Sequence, residues 1–509
     1  MAAPPLTGGG YGAPGMATGG SRSRASTGIP GLDDILGGGL PRDRIYLLQG
    51  DPGVGKTTVG LQFLLDGVAQ GERCLYIALS ESAPEIQTVV ESHGWTVDQV
   101  KIVELSALDQ SAGLESENTL FEPSEVELHE TTRILLREID AFKPDRVVFD
   151  SLSELRLLAQ SALRYRRQIL GLKQYFSDKR MTVLLLDDRT SEPNDQQLQS
   201  LAHGVLTMEQ IPPIYGEDRR RMRVAKLRGV KYRSGYHDFA IRTGGVVVFP
   251  RLVAAEHTTT FERSQISSGV EGLDRLVGGG LDRGTATLIL GPAGSGKSSV
   301  AVQYAVAAAE RGELAVLYLF DERRATVFER TRALGVDLAK HVASGKIVLQ
   351  QIDPAEMGPG EFTHNVRACV EDQGATVIVI DSLNGYEHAM PNEKQLTIQM
   401  HELLAYLGNK GVTTILVMAQ HGMVGTMNAP VDVSYLADSV MLLRYFEAAG
   451  RIRKAISMLK KRSGPHENAI REMSLGTDGL RVGEPLERFK GVLTGVPEYV
   501  GGKQELEEA

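Results

Sequence analysis

Two octapeptides in this chain share one arrangement of residue types. Gly50-Asp51-Pro52-Gly53-Val54-Gly55-Lys56-Thr57 and Gly291-Pro292-Ala293-Gly294-Ser295-Gly296-Lys297-Ser298 each run from a glycine through four variable residues to Gly-Lys and a hydroxyl. Glycines let backbone N–H groups close around an anion, and a helix that starts at the lysine adds the positive end of its dipole. The lysine then reaches the outer phosphates of a polyphosphate and the hydroxyl holds Mg²⁺. The pattern therefore points to ATP with Mg²⁺. It makes Gly53, Val54, Gly55, Lys56, Thr57 and Thr58 candidate nucleotide contacts, and likewise Gly294, Ser295, Gly296, Lys297, Ser298 and Ser299. Asp150 and Asp381 each end an apolar run and precede Ser-Leu. A carboxylate at the C-terminal end of a parallel strand faces the ligand crevice, so these two, with Thr57 and Ser298, are the candidate Mg²⁺ ligands. Attack on a phosphate also needs a base, and Glu81 and the pair Asp321-Glu322 follow further apolar runs in matching places.

The elements that must position these residues are legible as a duplication. Lys56 and Lys297 are 241 residues apart, as are Glu81 and Glu322. Ser26-Thr27-Gly28-Ile29-Pro30-Gly31-Leu32-Asp33 returns at the same offset as Ser267-Ser268-Gly269-Val270-Glu271-Gly272-Leu273-Asp274, and Gly37-Gly38-Gly39-Leu40 returns as Gly278-Gly279-Gly280-Leu281. Repeats of this size are domains, not turns of a solenoid. Residues 21–253 and 261–497 are the expected domains, joined by a small, polar linker over 254–260. Residues 1–20 are uncharged and rich in Gly, Ala and Pro, which predicts a disordered tail and not a signal peptide. Residues 498–509 are expected to be an acidic tail.

Each domain alternates apolar runs with helical patterns. Ile45–Gln49, Cys74–Leu79, Arg146–Phe149 and Met181–Leu186 read as strands, and residues 56–70 as a helix. Runs that are apolar throughout suit strands covered on both faces. The expected fold class is α/β: two tandem P-loop domains, each a mostly parallel sheet flanked by helices.

Composition narrows the function. With 509 residues, 42% of them hydrophobic, the chain can bury several cores. Its 55 Lys and Arg against 64 Asp and Glu give a net charge of −9, which argues against a surface devoted to nucleic acid or anionic lipid. Cys74 and Cys369 are the two cysteines, too few for a disulfide scaffold or a multi-cysteine zinc site, and they fit a reducing, cytoplasmic compartment. No apolar run is long enough to predict a membrane span.

Taken together, these motifs resemble the KaiC family of tandem RecA-like ATPases, which includes the cyanobacterial clock kinase, over about residues 21–497. The resemblance implies a homohexamer of two stacked rings with ATP between subunits, and it admits a KaiB-like protein as a partner. It implies a nucleotide contact at Ser92 and basic residues acting across the subunit interface: Lys226 and Arg228 in the first domain, Lys460 and Arg462 in the second. The family carries an acidic pair before the helix that follows this strand. Here the second domain has Asp321 and Glu322, whereas the first has Ser80 and Glu81. That departure bears on hydrolysis in the first domain more than on ATP binding. The clock kinase phosphorylates adjacent serine and threonine residues; here Ser434 keeps the serine place and Tyr435 stands in the threonine's. The resemblance thus implies a Ser/Thr autokinase in the second domain. Two alternatives stay open: an ATPase switch or scaffold without kinase activity, and a RecA-like ATPase on DNA. The run Arg219-Arg220-Arg221-Met222-Arg223 invites the last of these, but Glu217 and Asp218 adjoin it.

Overall fold

The computed structural model describes residues 23–104, 123–159, 161–189, 196–213, 215–388, 393–420, 436–494 and 497–500. The expected N-terminal tail, the residues beyond 500 of the expected C-terminal tail, and Ser434 with Tyr435 lie outside the described residues; Glu498–Tyr499 form a short strand paired with Phe489–Lys490. The chain forms two compact units: residues up to Gln210 with Arg220–Val248, and Ile211–Arg219 with the residues from Phe249 onward.

The first unit is organised on a nine-stranded sheet: β1 (Ile45–Gly50), β2 (Cys74–Ala78), β3 (Val100–Glu104), β4 (Arg146–Asp150), β5 (Thr182–Asp188), β6 (Gly204–Ile211), β7 (Arg219–Leu227), β8 (His237–Arg242) and β9 (Gly245–Phe249). Their spatial order is β3-β2-β4-β5-β1-β6-β7-β8-β9. The six strands from β3 to β6 are parallel, while β7 and β8 pair antiparallel. The second unit repeats this order with β10 (Ala286–Gly291), β11 (Leu314–Leu319), β12 (Ile347–Gln351), β13 (Ala375–Asp381), β14 (Thr413–Ala419), β15 (Ser439–Ala448), β16 (Arg451–Lys461), β17 (Ile470–Gly476) and β18 (Gly479–Pro485). Here the antiparallel pairs are β15–β16, β16–β17 and β17–β18. Two mostly parallel α/β sheets of one topology are what the duplicated sequence predicts.

The apolar runs are continuous because each strand feeds two cores. Tyr46 and Leu48 of β1 join one cluster with Phe63 and Leu64 of helix α1 (Lys56–Ala69), whereas Ile45 and Leu47 join the opposite one with Ile169 and Phe176. In the second unit, Ile289 packs with Tyr304 of α2 (Lys297–Glu310), and Leu288 and Leu290 pack with Leu403 and Leu407. Each P-loop helix thus packs on one face of its sheet, against Tyr46 and Leu48 in the first unit and Ile289 in the second.

The repeated Gly-Leu-Asp and triple-glycine motifs have a structural role in both units. Asp33 accepts the Thr27 N–H and Asp274 the Ser268 N–H, each at 2.8 Å. A side chain at Gly39 or Gly280, both at positive φ, would run into the carbonyl of Ala25 or Ile266 on a paired short strand. The linker is less free than its composition suggests. Ala254–Glu256 forms a short 3₁₀ turn in which the Ala254 N–H donates to Glu402 at 3.0 Å and Asn409 donates back to the Ala254 carbonyl at 2.9 Å.

One buried cation ties β4 of the first unit to its surroundings. Arg146 is fully buried; it donates to Glu72 at 2.6 Å, to Asp66 at 3.1 Å and to the carbonyls of Ser26 and Phe63 at 2.7 and 2.8 Å. Removing one partner of such a buried network costs about 3–5 kcal/mol, because the remaining charges stay desolvated. Arg146→Ala should therefore lower the first unit's transition in scanning calorimetry and leave the second unit's in place.

Candidate functional site

In the first unit the P-loop connects the end of β1 to the start of α1. Gly55, at φ 103°, caps the helix, and Gly53 also has positive φ. Both conformations are ones that glycine adopts freely and that turn N–H groups inward. Lys56 is nearly buried; it donates to the carbonyls of Gly50 and Asp51 at 3.0 and 2.9 Å and pairs with Asp188 at 2.7 Å. The Thr57 hydroxyl donates to Asp150 at 2.7 Å, and the Tyr76 hydroxyl donates to the same carboxylate oxygen. Burial raises the Asp150 pKa, against the pull of these two hydroxyls. Glu81 lies close enough to feel this charge: burial, then Asp150, push its pKa up to about 7. Its Oε2 is buried without a hydrogen-bond partner.

The second unit builds the same site with different neighbours. Gly296, at φ 106°, caps α2, and Lys297 donates to the Pro292 carbonyl at 2.8 Å. Ser298 hydrogen-bonds Asp381, whose pKa burial raises. A cavity of about 540 Å³ is lined by Lys297, Ser298, Asp321, Glu322, Asp381 and Ser382, among others. That volume suits a small-molecule ligand. Ser382 donates to Asp321. Glu322 is held by Arg330 of α3 (Arg324–Ala333) at 2.8 Å, and Arg330 also reaches Ser299 at 3.3 Å. Burial pushes the Glu322 pKa up, with Arg330 opposing. The Ser295 hydroxyl is buried and unpartnered.

The residues fit a magnesium nucleotide. A buried carboxylate with raised pKa calls for a counter-cation, and in each unit it already meets a hydroxyl of the P-loop helix. Mg²⁺ when bound would neutralise phosphate charge, with one hydroxyl, one carboxylate and the phosphates sharing its shell.

Of the four basic residues expected to act across an interface, the two arginines lie far from their own P-loops. The Arg228 N–H donates to the His203 carbonyl, and the His203 N–H donates to the Ile45 carbonyl, at the start of β1. Lys226 and Arg228 donate to the Ser200 carbonyl at 3.3 and 2.8 Å. Likewise Lys460 donates to the Ala437 carbonyl at 2.8 Å, and the Arg462 N–H donates to the carbonyl of Asp438, which itself joins Ala286 at the start of β10. At ~3.3 Å per residue, Arg228 and Arg462 stand a strand length of roughly 17 Å from their own P-loops, whereas Lys460 pairs with Val440 opposite Leu288, three residues before Gly291. Ser92 is exposed at the end of its helix and donates to the Val89 carbonyl at 2.7 Å. Thr58 faces His93 at 3.4 Å.

Four residues near these sites, Tyr76, Asp187, Asp188 and Arg330, lie outside the sequence motifs. β5 runs two residues past its apolar core, so Asp187 and Asp188 are strand residues at the crevice. The rule that marks Asp150, a carboxylate closing a strand, marks Asp188 too. Arg330 sits on a helix surface with no motif around it.

This fold and site define a tandem P-loop ATPase of RecA-like architecture. The family profile described as "ATPase: KaiC" matches residues 25–253 and again 266–487, and the chain belongs to that family. A "Circadian clock oscillator protein KaiC" of Acaryochloris marina is 26% identical over 489 residues, covering 93% of this chain and 91% of its own. One from Picosynechococcus sp. is 27% identical over 497 residues, covering 94% and 93%. One from Thermostichus vulcanus is 26% identical over 499 residues, again covering 94% and 93%.

The Glu81 environment has a pH signature. Its pKa rises on folding from 4.5 to about 7, so its ionised form is disfavoured in the folded state. The associated stability is complete below the unfolded pKa and is lost as pH climbs through 7. Without added nucleotide or Mg²⁺, the denaturation midpoint of the first unit should fall from pH 5 to pH 8, and Glu81→Gln should flatten that slope.

Proposed function

We propose that this protein is a cytoplasmic, Mg²⁺-dependent ATPase that assembles as a homohexamer, and that its second domain is a Ser/Thr autokinase acting on Ser434. The observation that carries the reading is the second unit's cavity, where P-loop Lys297 and Ser298, strand-end Asp381 and the pair Asp321-Glu322 face one space. Lys56 and Lys297 hold the outer phosphates. Thr57 with Asp150, and Ser298 with Asp381, hold Mg²⁺. Gly53, Val54, Gly55, Gly294, Ser295 and Gly296 supply the cradle, with Thr58 and Ser299 behind it. Glu81 in the first domain and Glu322 in the second take the proton of the attacking water or hydroxyl, Asp321 assisting. In the transfer step the Ser434 oxygen bonds to the γ-phosphorus, the bond to ADP breaks and the hydroxyl proton passes to Glu322.

Assembly follows from the cations. Arg228 and Arg462 stand a full strand length from their own P-loops, so each basic pair, Lys226 with Arg228 and Lys460 with Arg462, serves a neighbour's phosphates, as the family resemblance implies. ATP between subunits then stabilises the ring by mass action. A DNA-binding reading loses ground on the arginine run, because Arg221 is paired with Glu209 at 2.9 Å and stacks on Tyr236. The ATPase-switch reading is favoured by one observation, Tyr435, which removes a second acceptor.

Sedimentation should show a hexamer at saturating Mg-ATP; a monomer there overturns the assembly. Lys56→Ala should weaken the ring, and Lys297→Ala should keep the ring while abolishing phosphorylation. If the two effects exchange, the division of labour between domains is wrong.

Phosphosite mass spectrometry after incubation with Mg-ATP separates kinase from switch. Ser434→Ala should lose most of the label. Glu322→Gln should slow labelling by roughly 10²–10⁴, far more than it weakens ATP binding. ATP hydrolysis without any label in the wild type would select the switch.

A further inference from the structure

The two P-loop lysines are held differently, and the difference is built by one residue. In the sheet register Asp188 lies opposite Gly50, the first P-loop residue, whereas Ala419 lies opposite Gly291 in the second unit. Lys56 consequently has a carboxylate partner at 2.7 Å. Lys297 is equally buried, at 7% exposure each, yet its partner is the Pro292 carbonyl, and it makes no ion pair among the described residues. The fold therefore seats the lysine without an ion pair, with only the more distant charge of Asp381 acting on it, and a directly paired acid such as Asp188 is not needed to bury it. Asp188 is about one-third exposed, receives a long contact from Ser153 at 3.4 Å, and is not shared with Arg189, whose side chain turns to Glu209 at 3.1 Å. Among the described residues, Lys56 is thus its one strong tie.

We propose that Asp188 is a positioning residue that competes with the nucleotide's outer phosphates for Lys56, so that the first P-loop takes ATP only by displacing its own carboxylate. The inference rests on the reading of this loop as a nucleotide site. A phosphate at Lys56 meets Asp188 as a like charge at close range, in a crevice that Asp150 and Glu81 already make acidic. The cost falls on the first domain alone and sets a higher ATP requirement there than the P-loop sequence implies. The step is one of binding: the lysine exchanges one anion for another and no covalent bond changes.

The test titrates full-length protein carrying Lys297→Ala, so that only the first P-loop binds, with Mg²⁺ and the fluorescent probe N-methylanthraniloyl-ATP. Adding Asp188→Asn should tighten binding about three- to tenfold, the range expected for releasing a partly exposed ion pair together with a like-charge contact. Asp188→Glu, which keeps the charge, should bind like the parent. The converse variant Ala419→Asp, in a chain with both lysines intact, should weaken the second of two binding phases. Circular dichroism melts establish that each variant is folded. Unchanged or weaker binding by folded Asp188→Asn, with the parent binding normally, overturns the competition. Failure of the Lys297→Ala parent to bind the probe at all overturns the nucleotide-site reading beneath it.

Discussion

Each site is organised by a carboxylate that the parallel sheet forces into a dry place. Asp150 and Asp381 close the strands next to the P-loop strand's immediate neighbour and are 4% and 8% exposed. Burial penalises their charge, and hydroxyls can offset only part of that penalty. A cation would offset the rest, and phosphates held by the P-loop would share it. The acid that makes the site costly to fold is therefore also the acid that makes it receptive. Everything else in the domain serves to hold this pairing: two apolar cores fix the strand ends, and left-handed glycines aim the loop above them.

From this shared base the two domains differ in which working group is tethered. In the first, Asp188 ties the lysine and leaves the base Glu81 unpaired and easily protonated. In the second, the lysine makes no ion pair among the described residues and Arg330 ties Glu322. Position 89, the offset counterpart of Arg330, is a valine, so the first domain lacks that tether altogether. Under the functions proposed above, the first tether acts on ligand entry and the second on proton transfer. The domains can thus differ in kinetic character although their sheets have one topology.

Much of this was legible in the sequence, for definable reasons. The duplication, the P-loops, Asp150, Asp381, Glu81 and Glu322 lie in motifs whose spacing is fixed by backbone geometry. Strands buried on both faces give uninterrupted apolar runs, and β1, β2 and β4 fall where those runs predict, within a residue at each end. Asp187 and Asp188 escaped because the strand outlasts its apolar run, and an acid looks like the start of a loop. Arg330 and Tyr76 reach the site by helix and strand packing, which no local pattern encodes. The linker misled for a related reason: Ala254 is small enough to look unstructured and small enough to be buried.

The placement of the cations carries the largest structural consequence. A side chain of Lys or Arg spans about two strand residues, whereas five separate Ile45 from Gly50 and Ala286 from Gly291. Arg228 and Arg462 are therefore held at the strand ends opposite their own phosphate loops, while Lys460 sits at the level of Leu288 and Lys226 donates to Gln199, whose side chain reaches Gln49. The same topology in both units puts both arginines at the corresponding end. In the proposed assembly, an anion cradle at one end of each sheet and arginines at the other make copies of the chain complementary in a head-to-tail sense. Such heterologous contacts close into a ring or run on as a filament. Two cradles on one chain require two such contacts to close with a single rotation per subunit, a constraint that a closed ring meets and that a mismatch in either domain would break.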